Sequence, residues 1–379
     1  MQKKINKKKV AIAIIILLIL ILTIVFSVLY RKNIHIRLFF DEYIFRKNIM
    51  ENTLPKILNT TSNVFSFDDT IVVLENNVLT FYNKSADKVG TLDVEISNAI
   101  FTANDKYLCI AEKNGKKFYL ISDKNIVWQK DIEGSISNLT INDNGYVAIS
   151  ISDTTYKTIC KLYSDSGDEL FTTYLSESYI MDFDISDDNK FLALAEANFS
   201  GITIQSNVRI ISIENALSNS TNSISYQYSA PADNLIVNIN YIKDNNLLCI
   251  YNNHIDIVKN NSVKELTNFE NTNILFADTN NFLIQVEKKS SGLLSSEFEL
   301  QIIDTSASER KTYSLDKEPK SVQIFDKVIA INLGTEVIFI DNNAWLIKHY
   351  TASQEIQNII ISNDLAGIIF KDKIEFLSL

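Results

Sequence analysis

Histidine, cysteine and proline are scarce in this 379-residue chain, with three of each. The cysteines, Cys109, Cys160 and Cys249, are odd in number and widely spaced, which excludes a disulfide framework and a zinc site. Each sits in a run that reads as a strand, where a buried free thiol is expected. Histidine is the commonest general base near neutral pH. Here His35 lies close to an apolar segment, and His254 and His349 are far apart in sequence. No G-x-S-x-G, Walker A or G-x-G-x-x-G pattern occurs. Ser85–Ala86–Asp87–Lys88 matches S-x-x-K, but it falls in a turn between strands, whereas that chemistry needs a helix start. No catalytic, cofactor-binding or metal-ligating residue is therefore expected, and no cofactor. Prolines are confined to Pro55, Pro231 and Pro319, and hydrophobic residues make up 46% of the chain, so a sizeable core is expected rather than disorder.

One long uncharged run is present, VAIAIIILLILILTIVFSVLY at residues 10–30. Its length matches the roughly 20 residues that cross a bilayer core. Lys3, Lys4, Lys7, Lys8 and Lys9 precede it, which favours a cytoplasmic N-terminus. A cleaved signal peptide is the rival, but its apolar region would be shorter and no A-x-A-like site follows. The expected division is a basic cytoplasmic tail (1–9), a transmembrane helix (10–30), a juxtamembrane connector (31–54) and a folded domain (55–379) outside the cytoplasm. In the connector, LFFDEYIFRKNIM could form a short amphipathic helix or serve as a spacer. Past the anchor, 31 basic residues face all 46 acidic ones, a balance of −15, which repels nucleic acid.

Beyond the connector, short apolar or alternating runs are separated by Asn, Asp, Ser, Gly and Lys clusters. One type of run recurs: VLTFYN, KFYLIS, CKLYSD, VRIISI, HIDIVK, LQIIDT, VIFIDN and IEFLSL, about forty residues apart. Upstream of it lies a hairpin on one plan, as in LTINDNGYVAISI and FDISDDNKFLALA; downstream lies another strand, as in NIVWQKDI. Asn and Asp tolerate left-handed backbone and bond back to it, so they suit these turns. The clusters at Asn142–Asn144, Asp165 and Asp168, and Asp187–Asp188 also have calcium-type ligands. None matches the calcium-loop pattern, and the turn reading is preferred. Four short strands at this period predict an all-β propeller of about eight four-stranded blades, beginning near 62, 96, 134, 177, 231, 271, 318 and 354. Seven blades is the alternative if SNVFSF is not a strand. The final module has three strands, and PKILNT (55–60) is expected to complete it and close the ring.

These segments resemble the WD40 and quinoprotein-type propeller superfamily over roughly residues 55–379. The chain lacks the Gly-His and Trp-Asp dipeptides of the former, and its two tryptophans, Trp128 and Trp345, cannot supply the repeated docking signature of the latter. The whole layout, with NDNGYVAISI, YIMDFDISDDNKFLALA and KDKIEFLSL behind an N-terminal anchor, resembles a family of membrane-anchored propeller proteins of low-GC Gram-positive bacteria. That resemblance implies location and fold, and it carries no catalytic residues.

Three loops joining second to third strands are long: 152–157, 196–207 and 287–298. Tyr156, Phe199, Ile202, Leu293 and Leu294 stand in them as candidate binding residues. The expected function is a non-catalytic, membrane-tethered extracytoplasmic scaffold for an envelope protein or cell-wall component. The alternatives are a propeller hydrolase or quinone-type dehydrogenase with a central-channel site, or a ligand or glycan sensor. A cluster of converging charged residues at the channel mouth would favour the enzyme. Aromatic platforms in the long loops would favour the sensor.

Overall fold

A computed structural model describes residues 7–32, 36, 40, 44, 51–54, 63–218, 223–268, 273–277, 282–291, 296–305, 310–363 and 365–379. Eight antiparallel four-stranded sheets follow one another along the chain and close into a propeller. Blades 1 to 7 occupy residues 63–93, 99–131, 135–175, 179–229, 236–268, 273–315 and 321–351. Blade 8 takes three strands from residues 358–378 and the fourth from the N-terminal side. Strands are named A to D from the channel outward. The recurring run of the sequence is strand C in every blade. Eight blades is thus the observed count, and NVFSF is a genuine A strand (Asn63–Phe67).

The closing strand is not PKILNT. It is Glu51–Leu54, antiparallel to strand C of blade 8 (Ile374–Ser378), with Glu51 opposite Leu377 and Leu54 opposite Ile374. The physical reason lies at the next position. Pro55 has no N–H to give a ladder and disfavours continued pairing, so the strand stops before it. Residues 55–60 lie outside the described residues. The seam is sealed by apolar packing of Ile71 and Val73 in blade 1 against Ile360, Leu365, Ile374 and Phe376 in blade 8. Ser362 Oγ donates to the Asp68 carbonyl, and Asn363 Nδ2 donates to Asp69 across the same seam.

Each sheet buries both faces against its neighbours, so the core is a set of layers between blades. Cys109, Phe118 and Leu120 of blade 2, for example, pack on Ile136, Val147 and Ile149 of blade 3. This two-sided burial explains the near-continuous apolar second strands such as TIVVLE (Thr70–Glu75) and VAISIS (Val147–Ser152). All three cysteines are buried and free. Two-residue turns with both φ positive occur at Asn76–Asn77, Asp123–Lys124 and Asn260–Asn261, and all but Lys124 are of the Asn/Asp type suited to that conformation.

The N-terminal helix α1 (Lys7–Lys32) has 26 residues. Its described side chains run from 14 to 30, and fourteen large apolar ones among them are exposed. The described side chains of α1 stop short of the full uncharged run of residues 10–30, and among the described residues no helix is long and apolar enough to cross a membrane. Most of the connector, including the segment read as amphipathic, lies outside the described residues. A short helix α2 (Ile213–Ser218) joins strands C and D of blade 4.

The pairing of Glu51–Leu54 fixes how the chain enters. Ile374 follows the B–C turn of blade 8, and Leu54 sits beside it, so the closing strand runs toward the B–C face. The chain therefore arrives at the A–B face, opposite the long loops.

Candidate functional site

The B–C face gathers aromatic side chains from blades 3 and 4. In blade 3, Asp153 accepts hydrogen bonds from the backbone N–H of Thr155 (2.7 Å) and Tyr156 (3.1 Å), which orders the 152–157 loop. Those backbone donors hold the Asp153 carboxyl below its ordinary range. Tyr156 then lies 4.8 Å from Tyr174 in strand D (Glu169–Leu175), ring centre to ring centre. In blade 4, Asn198 caps the turn at Ser200 (2.8 Å), and Phe199 comes 6.2 Å from Tyr179, the first residue of strand A (Tyr179–Ile185). Lys157 joins the two blades, its ammonium 5.3 Å from the Tyr179 ring centre. Tyr174, Tyr179 and Phe199 are exposed, and Ile202 projects fully into solvent.

The loop carrying Phe199 and Ile202 is held at both ends. Asp233, in the connection to blade 5, donates its N–H to the Ile204 carbonyl (3.0 Å) and accepts from the Ile204 N–H (3.3 Å). Beneath the loop, Glu196 is buried in an ion pair with Arg209 (2.9 Å) and accepts from Ser178 Oγ (2.8 Å). Burial pushes the Glu196 carboxyl up, and Arg209 works against that shift. Tyr156, Phe199 and Ile202 are thus brought onto one surface. Leu293 and Leu294 lie outside the described residues. Tyr174 and Tyr179 escaped sequence reasoning because they belong to strands, although ELFTTYLSESYI places them on either side of one blade-to-blade connection.

The opposite face holds a cavity of about 610 Å³ at the channel mouth. Asp105, Asp143, Asp184, Asp187 and Asp326 line it, with asparagines between them. The Asn/Asp turns of the sequence do more than turn. Asn104 Nδ2 donates to the Asn142 carbonyl (2.9 Å), Asn142 Nδ2 donates to the Ser186 carbonyl (3.0 Å), and Asn245 Nδ2 donates to Asp188 (2.7 Å). These bonds link blades 2, 3, 4 and 5 in sequence. Asp187 and Asp188 take opposite shifts. Burial raises the Asp187 carboxyl, whereas hydrogen bonds from Lys190, Asn245 and Ser186 outweigh desolvation and hold Asp188 down at about 2.

Two carboxylates missed in the sequence stand on strand A of blade 4. Asp182 accepts from Asn238 Nδ2 (2.6 Å) and the Ile239 N–H (3.0 Å); Asp184 accepts from the Tyr241 N–H (2.6 Å). Both bond strand A of blade 5 (Ile236–Ile242), whose inner edge has no further strand to pair with. They satisfy orphan backbone donors across a blade boundary. Burial dominates over these donors and pushes Asp182 up to about 6 and Asp184 up to about 7. The signal was the D-x-D alternation of YIMDFDI, which puts both carboxyls on one sheet face. Among the described residues no group of three or more histidine, cysteine or acidic side chains is placed to hold a metal ion.

No curated protein matches the sequence. Several solved propellers share the fold. Sqt1 from Chaetomium thermophilum superposes with a TM-score of 0.53 at 9% identity, covering 88% of this chain and 100% of that one. The dihydro-heme d1 dehydrogenase NirN gives 0.54 at 9% identity, covering 86% and 75%. BamB from Moraxella catarrhalis gives 0.49 at 7% identity, covering 88% and 99%. At such identities the likenesses to Sqt1 and NirN speak for the fold alone, and that to BamB carries no argument. The profile of one sequence family spans residues 42–379, which takes in every blade and the closing strand, and the chain belongs to that family, DUF5711, a family of unknown function.

Proposed function

We propose that the chain is a membrane-tethered, extracytoplasmic binding scaffold that presents its B–C face to an envelope protein or cell-wall component. The observation that carries this reading is the surface formed by exposed Tyr174, Tyr179, Phe199 and Ile202 with the half-buried ring of Tyr156, assembled from two blades by ordered loops. Tyrosine and phenylalanine in the open are costly unless covered by a partner. Tethering rests on α1, whose uncharged run of residues 10–30 follows five lysines. The chain's entry at the A–B face leaves the aromatic surface pointing away from that tether.

The test replaces Tyr156, Tyr174, Phe199 and Ile202 with Ser in the full-length chain. The thermal midpoint should stay within a few degrees, because none of the four side chains belongs to the buried core. Binding to isolated cell walls, or cross-linking to one envelope protein, should fall at least about tenfold, the loss of one or two aromatic anchors. A folded variant that retains full binding to both would overturn the reading.

A second reading, a glycan sensor, is favoured by the same four rings, since sugar faces stack on exposed aromatics. Soluble wall glycan that competes with cell-wall binding at the wild-type surface, and not at the variant, would select it over a protein partner.

A further inference from the structure

The outer groove between blades 4 and 5 contains a second cavity of about 390 Å³. That is within the range of small-ligand sites. One wall is Tyr228, from strand D of blade 4 (Ile224–Ser229). The facing wall is blade 5, where strands C (His254–Lys259) and D (Ser262–Asn268) contribute His254, Asp256, Val263 and Glu265. Asn253 Nδ2 donates to Asn234 Oδ1 (3.2 Å) at the end nearest the B–C face. Among the described residues no lysine or arginine lines the cavity.

The charge arrangement works against the fold. Asp256 and Glu265 are directly opposite in the strand register, where like charges destabilise. Asp256 is only 4% exposed, and its ion-pair contact is with His254 Nε2 at 3.4 Å. Tyr251 lies flat against the His254 ring, centres 4.4 Å apart, and its buried hydroxyl has no hydrogen-bond partner. Burial raises the Asp256 carboxyl, and Glu265 adds to that, while His254 opposes it. A pair of apolar side chains would fill this position at less cost. What the arrangement suits is a positive charge arriving from outside, with the Tyr228 ring on one side and carboxylates on the other.

We propose that this cleft binds the ammonium group of an organic cation, such as an alkylamine or a lysine side chain. Glu265, exposed at the mouth, draws the cation in and pairs with it. Asp256 lies deeper as the second countercharge, and Tyr228 offers its ring face. Organic ammonium fits better than a bare divalent metal ion, because it sheds its water at less cost than the metal ion, gains from the aromatic wall and needs no full ligand set. The inference is independent of the aromatic surface on the B–C face.

The probe is n-butylammonium chloride, titrated calorimetrically into the full-length chain in a non-ionic maltoside detergent, with n-butanol and calcium chloride as parallel arms. Saturable millimolar binding of n-butylammonium is expected, with none for n-butanol. Glu265→Gln should weaken it about tenfold or more, as loss of one facing charge implies. Tyr228→Leu should weaken it several-fold and serves as the second variant if the first fails to fold. Both should keep the wild-type thermal midpoint within a few degrees. Absence of saturable n-butylammonium binding, equal binding of n-butanol, wild-type affinity in the folded variants, or displacement of n-butylammonium by calcium at equal concentration would each overturn the assignment.

Discussion

Asp184 shows how a single side chain couples ring integrity to pH. In the unfolded chain its carboxyl titrates from an ordinary value of 3.8, whereas burial in the folded chain pushes it up to about 7. The folded state therefore binds the proton more tightly. The stability this contributes is complete below about pH 4, declines as pH rises toward about 7, and is absent above that. Asp182, pushed up to about 6, acts in the same direction. The thermal midpoint should fall between pH 5 and pH 8. Asp184→Asn keeps an acceptor for the Tyr241 N–H but cannot titrate, so its midpoint should vary less over that range. Identical pH slopes for the two proteins would rule this account out. A second residue-scale test concerns Gly167, whose φ of +86° puts any added Cβ about 3.0 Å from the Trp128 ring. Trp128 also donates its indole N–H to the Asp165 carbonyl (2.9 Å). Gly167→Ala should cost about 1–2 kcal/mol by urea unfolding, from backbone strain and displacement of the indole.

At the scale of elements, the strands were legible because two-sided burial writes a short apolar run for each second and third strand, and asparagine or aspartate writes the turns between. The A–B loops announce themselves in NDNG and SDDN, and the observed A strands begin within about five residues of the sequence-read blade starts. The closing strand was harder. ENTL has no apolar alternation, and PKILNT reads better by pattern, but partner availability on the edge of strand C in blade 8 and the proline at 55 decide the pairing. The Asp182 and Asp184 contacts were illegible for a related reason: their partners are backbone N–H groups 57 positions away. The closing strand also supplies a prediction. Deleting residues 51–54 removes four paired residues and bares the edge of strand C in blade 8. At roughly 1 kcal/mol per lost hydrogen bond, the midpoint of the full chain should drop by about 5–10 °C. An unchanged midpoint would mean the ring is closed some other way.

For the molecule as a whole, number of blades, ring closure and the face bearing long loops could be read from the spacing of repeats, because a propeller repeats one unit around an axis. The candidate surface was only half legible. Tyr156, Phe199 and Ile202 stood out as apolar residues in polar loops, while Tyr174 and Tyr179 became visible only when adjacent blades were set side by side. Location is open to a direct measurement. External protease applied to intact spheroplasts should digest the blades, and equal protection of the blades and a cytosolic marker would refute the proposed orientation.

The strand that shuts the ring is also the one through which the proposed tether would enter. A pull between the bilayer and a partner held on the B–C face would run lengthwise along Glu51–Leu54, loading its rungs together in shear rather than peeling them one at a time. Shear is the stiffer mode, so the seam would hold under brief tugs. Sustained force that finally slid this strand free would open the circle at blade 8, making the join between anchor and blades the molecule's mechanical fuse.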